Sequence, residues 1–335
     1  MKHIAYPSIE QYRNAIRQVA DHSRYAGRDA NGDPVFDHTK PLPTLKYRGT
    51  VKLHGTNAGV VFDRGAGEFW AQSRENIITP AKDNAGFATF AYGQKEKLAQ
   101  LTEHIPGNEL IIFGEWCGGS IQKGVAIAQL TKRFVIFGVQ VDGKWLDDAM
   151  LSTIKEAADS GIHNILDYPS WEIDIDFNNP EQVQNKLVEL TLEIERECPV
   201  AKAMGATGIG EGIVWKCTTP GWEDPKFYFK VKGEKHQSSK TTTLAPVDIE
   251  KVNSIKAFAV AVATESRCRQ AVEKLKAQGV KTDRTCLGLY VKWINDDIVK
   301  EDTDTAVASG IELQKAFGEI NKVAKAWFFA HELEF

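Results

Sequence analysis

At 335 residues the chain is too long for one ordinary core and long enough for two, and its 42% hydrophobic and 26% charged residues exclude a disordered or fibrous protein. A formal net charge of −4 excludes a wholly basic nucleic-acid binder, so any phosphate site must be a local patch; the segment Lys226 to Lys240 carries five lysines against Glu234. The five cysteines form no CxxC pair, and no apolar run reaches the roughly 18 to 20 residues of a membrane span, so a zinc site, a disulfide framework and a membrane protein are not expected. The N-terminus lacks a signal peptide's apolar stretch, which makes a cytoplasmic location the expectation.

In chain order, Ser8 and Gln11 have the form of a capping box, and Ile9, Tyr12, Ile16 and Val19 follow at helical spacing. Residues 27 to 44, rich in Gly, Asp and Pro, predict a loop with a short strand at its centre. From Leu45 to Trp70, runs of Val, Leu, Phe and Tyr broken by Gly and Asp predict successive antiparallel strands. Further strands are expected at 109–116, 133–141 and 144–147, the last two joined by the hairpin signal Asp142-Gly143. Helices are expected near 84–104, 148–160 and 180–197, and strands again at 211–217 and 226–232. This reads as an α+β domain. A polar stretch then leads to a boundary near 240–247, and three helical patterns follow at about 248–278, 287–300 and 305–332, with a breaker group at Gly279 to Arg284. There are no internal repeats.

Several segments carry chemistry. Strand alternation points Lys52 and His54 to one face of the segment Lys52-Leu53-His54-Gly55-Thr56-Asn57, opposite Val51 and Leu53. Phe113-Gly114-Glu115-Trp116 ends one apolar strand, and Glu211-Gly212-Ile213-Val214-Trp215-Lys216 begins another. An acid beside glycine lets the backbone pass close to a ligand while the carboxylate reaches a metal or a hydroxyl. On the last strand Tyr228, Lys230 and Lys232 share one face and Phe227, Phe229 and Val231 the other, which makes the lysines a fixed positive clamp. Taken singly, the Lys52 segment and the two acid–glycine segments read more readily as surface charge beside a turn, and spacing alone does not separate the last strand from an exposed charged face.

Their order is more specific: Lys-x-His-Gly-x-Asn, Arg74, Phe-Gly-Glu, an aromatic strand holding Phe137, Glu-Gly, then Lys-x-Lys. This series resembles that of the covalent nucleotidyltransferases, most closely the phage RNA ligase 2 family and the kinetoplastid RNA-editing ligases. The stretch Gly118-Gly119-Ser120-Ile121-Gln122-Lys123-Gly124 is similar to that family as well, whereas Val51 stands where its members often carry an acid. The resemblance implies an antiparallel-sheet nucleotidyltransferase (ATP-grasp-like ligase) domain over residues 1–240 and a small all-helical C-terminal domain over 247–335. It implies Lys52 as a nucleophile adenylated by ATP, with His54 and Asn57 beside the nucleotide and Arg74 at the ribose or the 3′-OH strand. Glu115 would hold the ribose, Phe137 would stack on adenine, and Lys230 and Lys232 would grip phosphates. Glu211 would serve Mg2+ or Mn2+ through water, with Glu115 as a weaker metal ligand. The implied partner is RNA with 3′-OH and 5′-phosphate ends, a nicked duplex above all, sealed by a monomer. A DNA ligase, a GTP-using capping enzyme and a catalytically dead nucleic-acid binder are the rival readings. The first two usually append an OB-fold barrel, which the helical pattern after Leu244 disfavours.

Overall fold

A computed structural model describes residues 1–119, 121–233, 255–308 and 311–331. These fall into two units, Met1–Val231 and Lys232–Phe335. The expected boundary at 240–247, Ser120 of the glycine-rich motif, Lys235 and Lys240 of the basic segment, and residues 248–254 of the expected helix lie outside the described residues.

The first unit opens with β1 (Glu10–Gln11) and α1 (Tyr12–Arg24). The expected capping box does not form: Gln11 sits at the N-cap without a side-chain cap, and Ser8 Oγ accepts a hydrogen bond from Arg74 instead. The short strand expected inside the loop is β3 (Pro34–Phe36), and it forms a hairpin with β2 (Tyr25–Arg28), which begins just before the expected loop. Then come β4 (Thr44–Lys52), β5 (Gly55–Asp63), β6 (Glu68–Ser73) and β7 (Ile77–Ile78). The helix expected over 84–104 is broken at Gln94 into α2 (Phe87–Gly93) and α3 (Lys95–Thr102). Strands β8 (Glu109–Cys117), β9 (Arg133–Val141) and β10 (Lys144–Trp145) follow. Asp142 and Gly143 turn the last hairpin with positive φ of 48° and 80°, the geometry that the Asp-Gly pair favours.

The helix expected at 148–160 shrinks to α4 (Asp148–Leu151), capped by Asp147. Two unexpected strands come next, β11 (Ile162–Asn164) and β12 (Ser170–Asp176). After α5 (Gln184–Arg196) and α6 (Pro199–Ala203) the chain forms β13 (Gly212–Cys217) and β14 (Phe229–Lys232). The last strand starts later than expected because Pro225–Phe227 is a 3-10 turn, with Asp224 accepting from the Lys226 N–H.

Two sheets organise the unit. One has the order β1-β14-β13-β4-β12, the other β10-β9-β8-β5-β6-β7 with β11 on β9. The chain crosses from the first to the second at Leu53–His54, between β4 and β5. One face of the seven-stranded sheet, with Val60, Ile112, Phe134 and Ile136, packs on Phe87, Ala91 and Leu98 from α2 and α3. The other face carries Val61, Trp70, Ile111 and Phe113 and receives Tyr6. A bulge opposite Phe113/Gly114 leaves Phe137 as the extra residue of β9, and the resulting change of parity keeps both Ile136 and Val139 in the helix-covered core.

Among the described residues the second unit has the helices α7 (Ile255–Val262), α8 (Glu265–Ala277), α9 (Leu287–Ala308) and α10 (Leu313–His331). They pack around Phe258, Val272, Tyr290, Ile294, Ile320 and Phe328. The expected breaker separates α8 from α9, and a further break precedes α8, where the Thr264 hydroxyl caps the helix. Helix α9 runs on past the expected 300 to Ala308 and so takes the first residues of the helix expected from 305, while α10 begins at Leu313. No helix among the described residues is long and apolar enough to cross a membrane.

Candidate active site

The crossing between the sheets gathers five of the residues singled out by the motifs. Lys52 ends β4, and its register partner on β13 is Gly212, so Glu211 arrives beside it just before that strand begins. Lys52 Nζ donates to Glu211 Oε2 at 2.7 Å, and His54 Nδ1 lies 3.1 Å from the same oxygen. Glu211 is 2% exposed, so its charge is held by these neighbours and not by water. In the other sheet Asn57 pairs with Glu115 across β5 and β8.

Glu115 retains some exposed surface but is otherwise enclosed. Burial pushes its carboxyl up to about 7; Lys52 and His54 pull it down, while Glu211 adds to the upward push, and the Gly55 N–H favours the ionised form. A carboxyl that is costly to ionise here is one that a divalent cation would relieve, so Glu115 and Glu211 fit a cation site. Among the described residues no three His, Cys, Asp or Glu side chains gather as ligands, so such a cation must complete its shell from phosphate or water.

The glycines have distinct reasons. A Cβ at Gly55 would collide with the Trp116 carbonyl and meet Cys117 Cβ at 2.8 Å, so glycine is what lets β5 start this close to β8. Gly114 was expected to admit a ligand. A Cβ there would instead meet the Phe134 ring at 2.5 Å and the Val135 carbonyl at 2.7 Å, so this glycine serves packing between β8 and β9.

The remaining motif residues make their own contacts, away from the Lys52–Glu211 pair. Arg74 Nη2 donates to Ser8 Oγ at 3.0 Å. Phe137, half-buried, meets the Tyr6 ring with centroids 4.9 Å apart and planes at 69°. On β14, Lys230 and Lys232 are half-buried while Phe229 and Val231 are buried, the expected alternation. Lys226 is not on that strand. It lies in the preceding 3-10 turn with Nζ 3.4 Å from Asp224.

Lys216, to which the motifs assign no role, has Arg48 as its partner on β4. Its Nζ donates to the Phe137 carbonyl, linking the two sheets. Burial pushes its ammonium down, Asp148 opposes, and Arg48, 3.3 Å from Asp148, pushes further down. Alternation from Gly212 puts Lys216 on the face of Val214, so the signal existed; Tyr6 carried none. Two cavities, neither lined by Lys52, lie elsewhere. One of about 540 Å³ is bounded by Gly119, Lys123–Ala126, Gln129 and Gly208–Ile209. The other, of about 630 Å³, is bounded by Lys132, Arg133, Glu156, His163 and Tyr168.

Compared with known proteins, residues 45–232 match the family model described as RNA ligase. The search of curated proteins found no match. Among solved structures, the Naegleria gruberi RNA ligase with PPi is 20% identical, with a TM-score of 0.43, covering 69% of this chain and 56% of that one. The same figures describe two mutants of that enzyme, one with ATP and Mn and one with AMP and Mn. The chain therefore spans little more than half the length of these proteins.

Proposed function

The chain belongs to the RNA ligase family, and from that membership we propose that it seals RNA ends with ATP through a lysyl-AMP intermediate on Lys52. The observation that carries this reading is the Lys52–Glu211 contact of 2.7 Å at the sheet crossing, within reach of the Glu115 carboxyl. Within the family, the Lys52-to-Asn57 signature and the helical second unit favour kinship with phage RNA ligase 2 and the kinetoplastid editing ligases.

An ordinary lysine, with a pKa near 10.4, is almost wholly protonated at neutral pH, and an ammonium has no lone pair. Glu211 holds Lys52 by a charge-assisted hydrogen bond. With ATP and Mg2+ or Mn2+ bound, the added positive charge would compete for Glu211, and together with Lys230 and Lys232 would disfavour a further ammonium at Lys52. The neutral amine then forms a bond to the α-phosphorus, and the bond to the bridging oxygen breaks, its electron pair leaving with pyrophosphate. Lys230 and Lys232 would balance the departing charge, and Phe137 would stack on adenine while Glu115 and Asn57 reach the ribose. His54, bonded to Glu211, orients that carboxylate. AMP passes next to an RNA 5′-phosphate, and the 3′-hydroxyl, near Arg74, displaces it to make the phosphodiester. The divalent cation would supply electrostatic stabilisation of the phosphates, held by Glu211 and more weakly by Glu115. The substrate that best suits this reading is a nicked duplex, sealed by a monomer in the cytoplasm.

Incubation of the protein with α-labelled ATP or GTP and Mg2+, followed by denaturing electrophoresis, tests the reading. Covalent label from ATP, chased onto the 5′ end of a nicked RNA duplex, is the expected result. Label from GTP would indicate capping chemistry, preference for an all-DNA nick a DNA ligase, and no label from either a protein without this activity.

A further inference from the structure

The first eleven residues run as a strap from one sheet to the other, and their contacts fall on residues of the candidate site. At the start, His3 Nε2 donates to the Ser73 carbonyl at 3.1 Å. Gln72, 2% exposed, donates from Nε2 to the Ile4 carbonyl at 2.5 Å and accepts from the Ile4 N–H at 3.1 Å. This anchors the strap to β6 much as a further strand would. Tyr6 then inserts its ring against Phe113, Phe137 and Trp145, with centroids 5.2, 4.9 and 5.3 Å away and edge-to-face geometry in each case. Ser8 accepts from Arg74, and Glu10–Gln11 pairs in parallel with Phe229–Lys230 of β14. One short segment thus touches Phe137, Arg74 and the strand of Lys230.

Phe137 needs such a partner. As the extra residue of the β9 bulge it lies outside the regular ladder, which gives its side chain less support from neighbouring strands. An edge-to-face ring contact restricts an aromatic side chain in both position and tilt, and such pairs are worth more than their buried area alone. The Phe137 carbonyl is also fixed, by Lys216, so backbone and ring are held from different elements.

We propose that Tyr6 is a positioning residue for Phe137, holding that ring for adenine, so that the strap sets affinity for the base of the nucleotide and not for its phosphates. This rests on the reading of Phe137 as the stacking partner of adenine in an ATP-dependent ligase. The substitutions Tyr6→Phe, which keeps the ring, and Tyr6→Leu, which fills much of its space without one, separate positioning from bulk. For each, and for the unaltered protein, KM and kcat for self-adenylylation are measured, together with inhibition by tripolyphosphate, which has no base.

The expected result is normal kinetics for Tyr6→Phe, and for Tyr6→Leu a KM for ATP raised about fivefold to tenfold with kcat within about twofold. Inhibition by tripolyphosphate should be unchanged in all three. An unchanged KM in Tyr6→Leu overturns the proposal. Equal weakening of ATP and tripolyphosphate overturns it as well, because a general loss of site structure would do that. If the unaltered protein takes no label from ATP, it is the ligase reading that fails, which is a separate outcome.

Discussion

Both units bury charge, and they do so in opposite ways. In the helical unit Arg267, fully buried, donates to Asp297 and Asp302 at 2.8 Å each and to the Val262 carbonyl at 2.5 Å. Burial would lower its pKa, but the two aspartates more than offset that, and it is raised. The network is complete and ties α8 to α9. At the sheet crossing of the first unit, by contrast, Lys52 and His54 share one oxygen of Glu211, and Glu115 beside them is driven towards its neutral form. In one arrangement attraction outweighs burial and the charge is favoured; in the other burial outweighs the pull of Lys52 and His54, and the Glu115 carboxyl is raised. A raised buried carboxyl of this kind is what a site proposed for chemistry would show, whereas the arginine network is what a stabilising one shows.

The largest effect should come from removing the nucleophile. Lys52→Ala should abolish covalent labelling by ATP at some cost in stability, the protein staying folded because His54 still pairs with the buried Glu211; Lys52→Arg should fail equally, because guanidinium stays protonated. A folded Lys52→Ala protein that still took label would end the assignment. Arg267→Ala should cost stability and not chemistry, about 3 to 5 kcal/mol, because Asp302 would be left buried without its cation. Denaturant unfolding measures that loss, and a mild effect below about 1 kcal/mol would mean the network relaxes when broken.

Next in size are the strand lysines. Lys230→Ala and Lys232→Ala should each slow single-turnover adenylylation by about 30-fold to 1,000-fold, the equivalent of roughly 2 to 4 kcal/mol at a phosphate. Lys226→Ala should change it little, since that lysine sits in the 3-10 turn against Asp224 and over the Phe227 ring. Three equal, mild defects would instead describe an ordinary solvated lysine row.

How much of this was legible depended on periodicity and on long-range pairing. The junction residues Lys52, His54, Asn57, Glu115 and Glu211 could be named from motif order, and alternation correctly divided Lys230 and Lys232 from Phe229 and Val231. The strand Ser170–Asp176 was also written in its alternation of Ile173 and Ile175 with acids, but it was overlooked beside the louder apolar runs. Other features had no local signal. Ser8 looked like a helix cap because its competitor, Arg74, is 66 residues away. Gly114 looked like a ligand approach because the Phe134 ring that requires it comes from the next strand. Lys226 was expected on a strand that the Pro225 turn postpones. Tyr6 gains its meaning only from three rings brought together by the fold.

The smallest effect, and the most direct test of the contrast between the two charge networks, concerns pH. Glu115 has its carboxyl raised from 4.5 to about 7 in the folded protein, with burial as the main cause. A raised acid binds its proton more tightly when folded, so its stabilising contribution is complete below the unfolded value and is lost as pH climbs from about 4.5 to about 7. The full shift would be worth about 3 kcal/mol, but Glu115 is partly open to solvent, so roughly 1 to 2 kcal/mol is the reasonable expectation. Glu115→Gln cannot ionise and should remove this slope, so urea midpoints for the two proteins should diverge between pH 5 and pH 7.5, with the glutamine variant relatively more stable at the higher pH. Adding Mg2+ with a non-hydrolysable ATP analogue should shrink the divergence, because a nearby cation favours the carboxylate. If the two proteins keep parallel pH profiles, the carboxyl ionises as easily as an exposed one, and the junction would then be a satisfied network of the same kind as Arg267 with its aspartates.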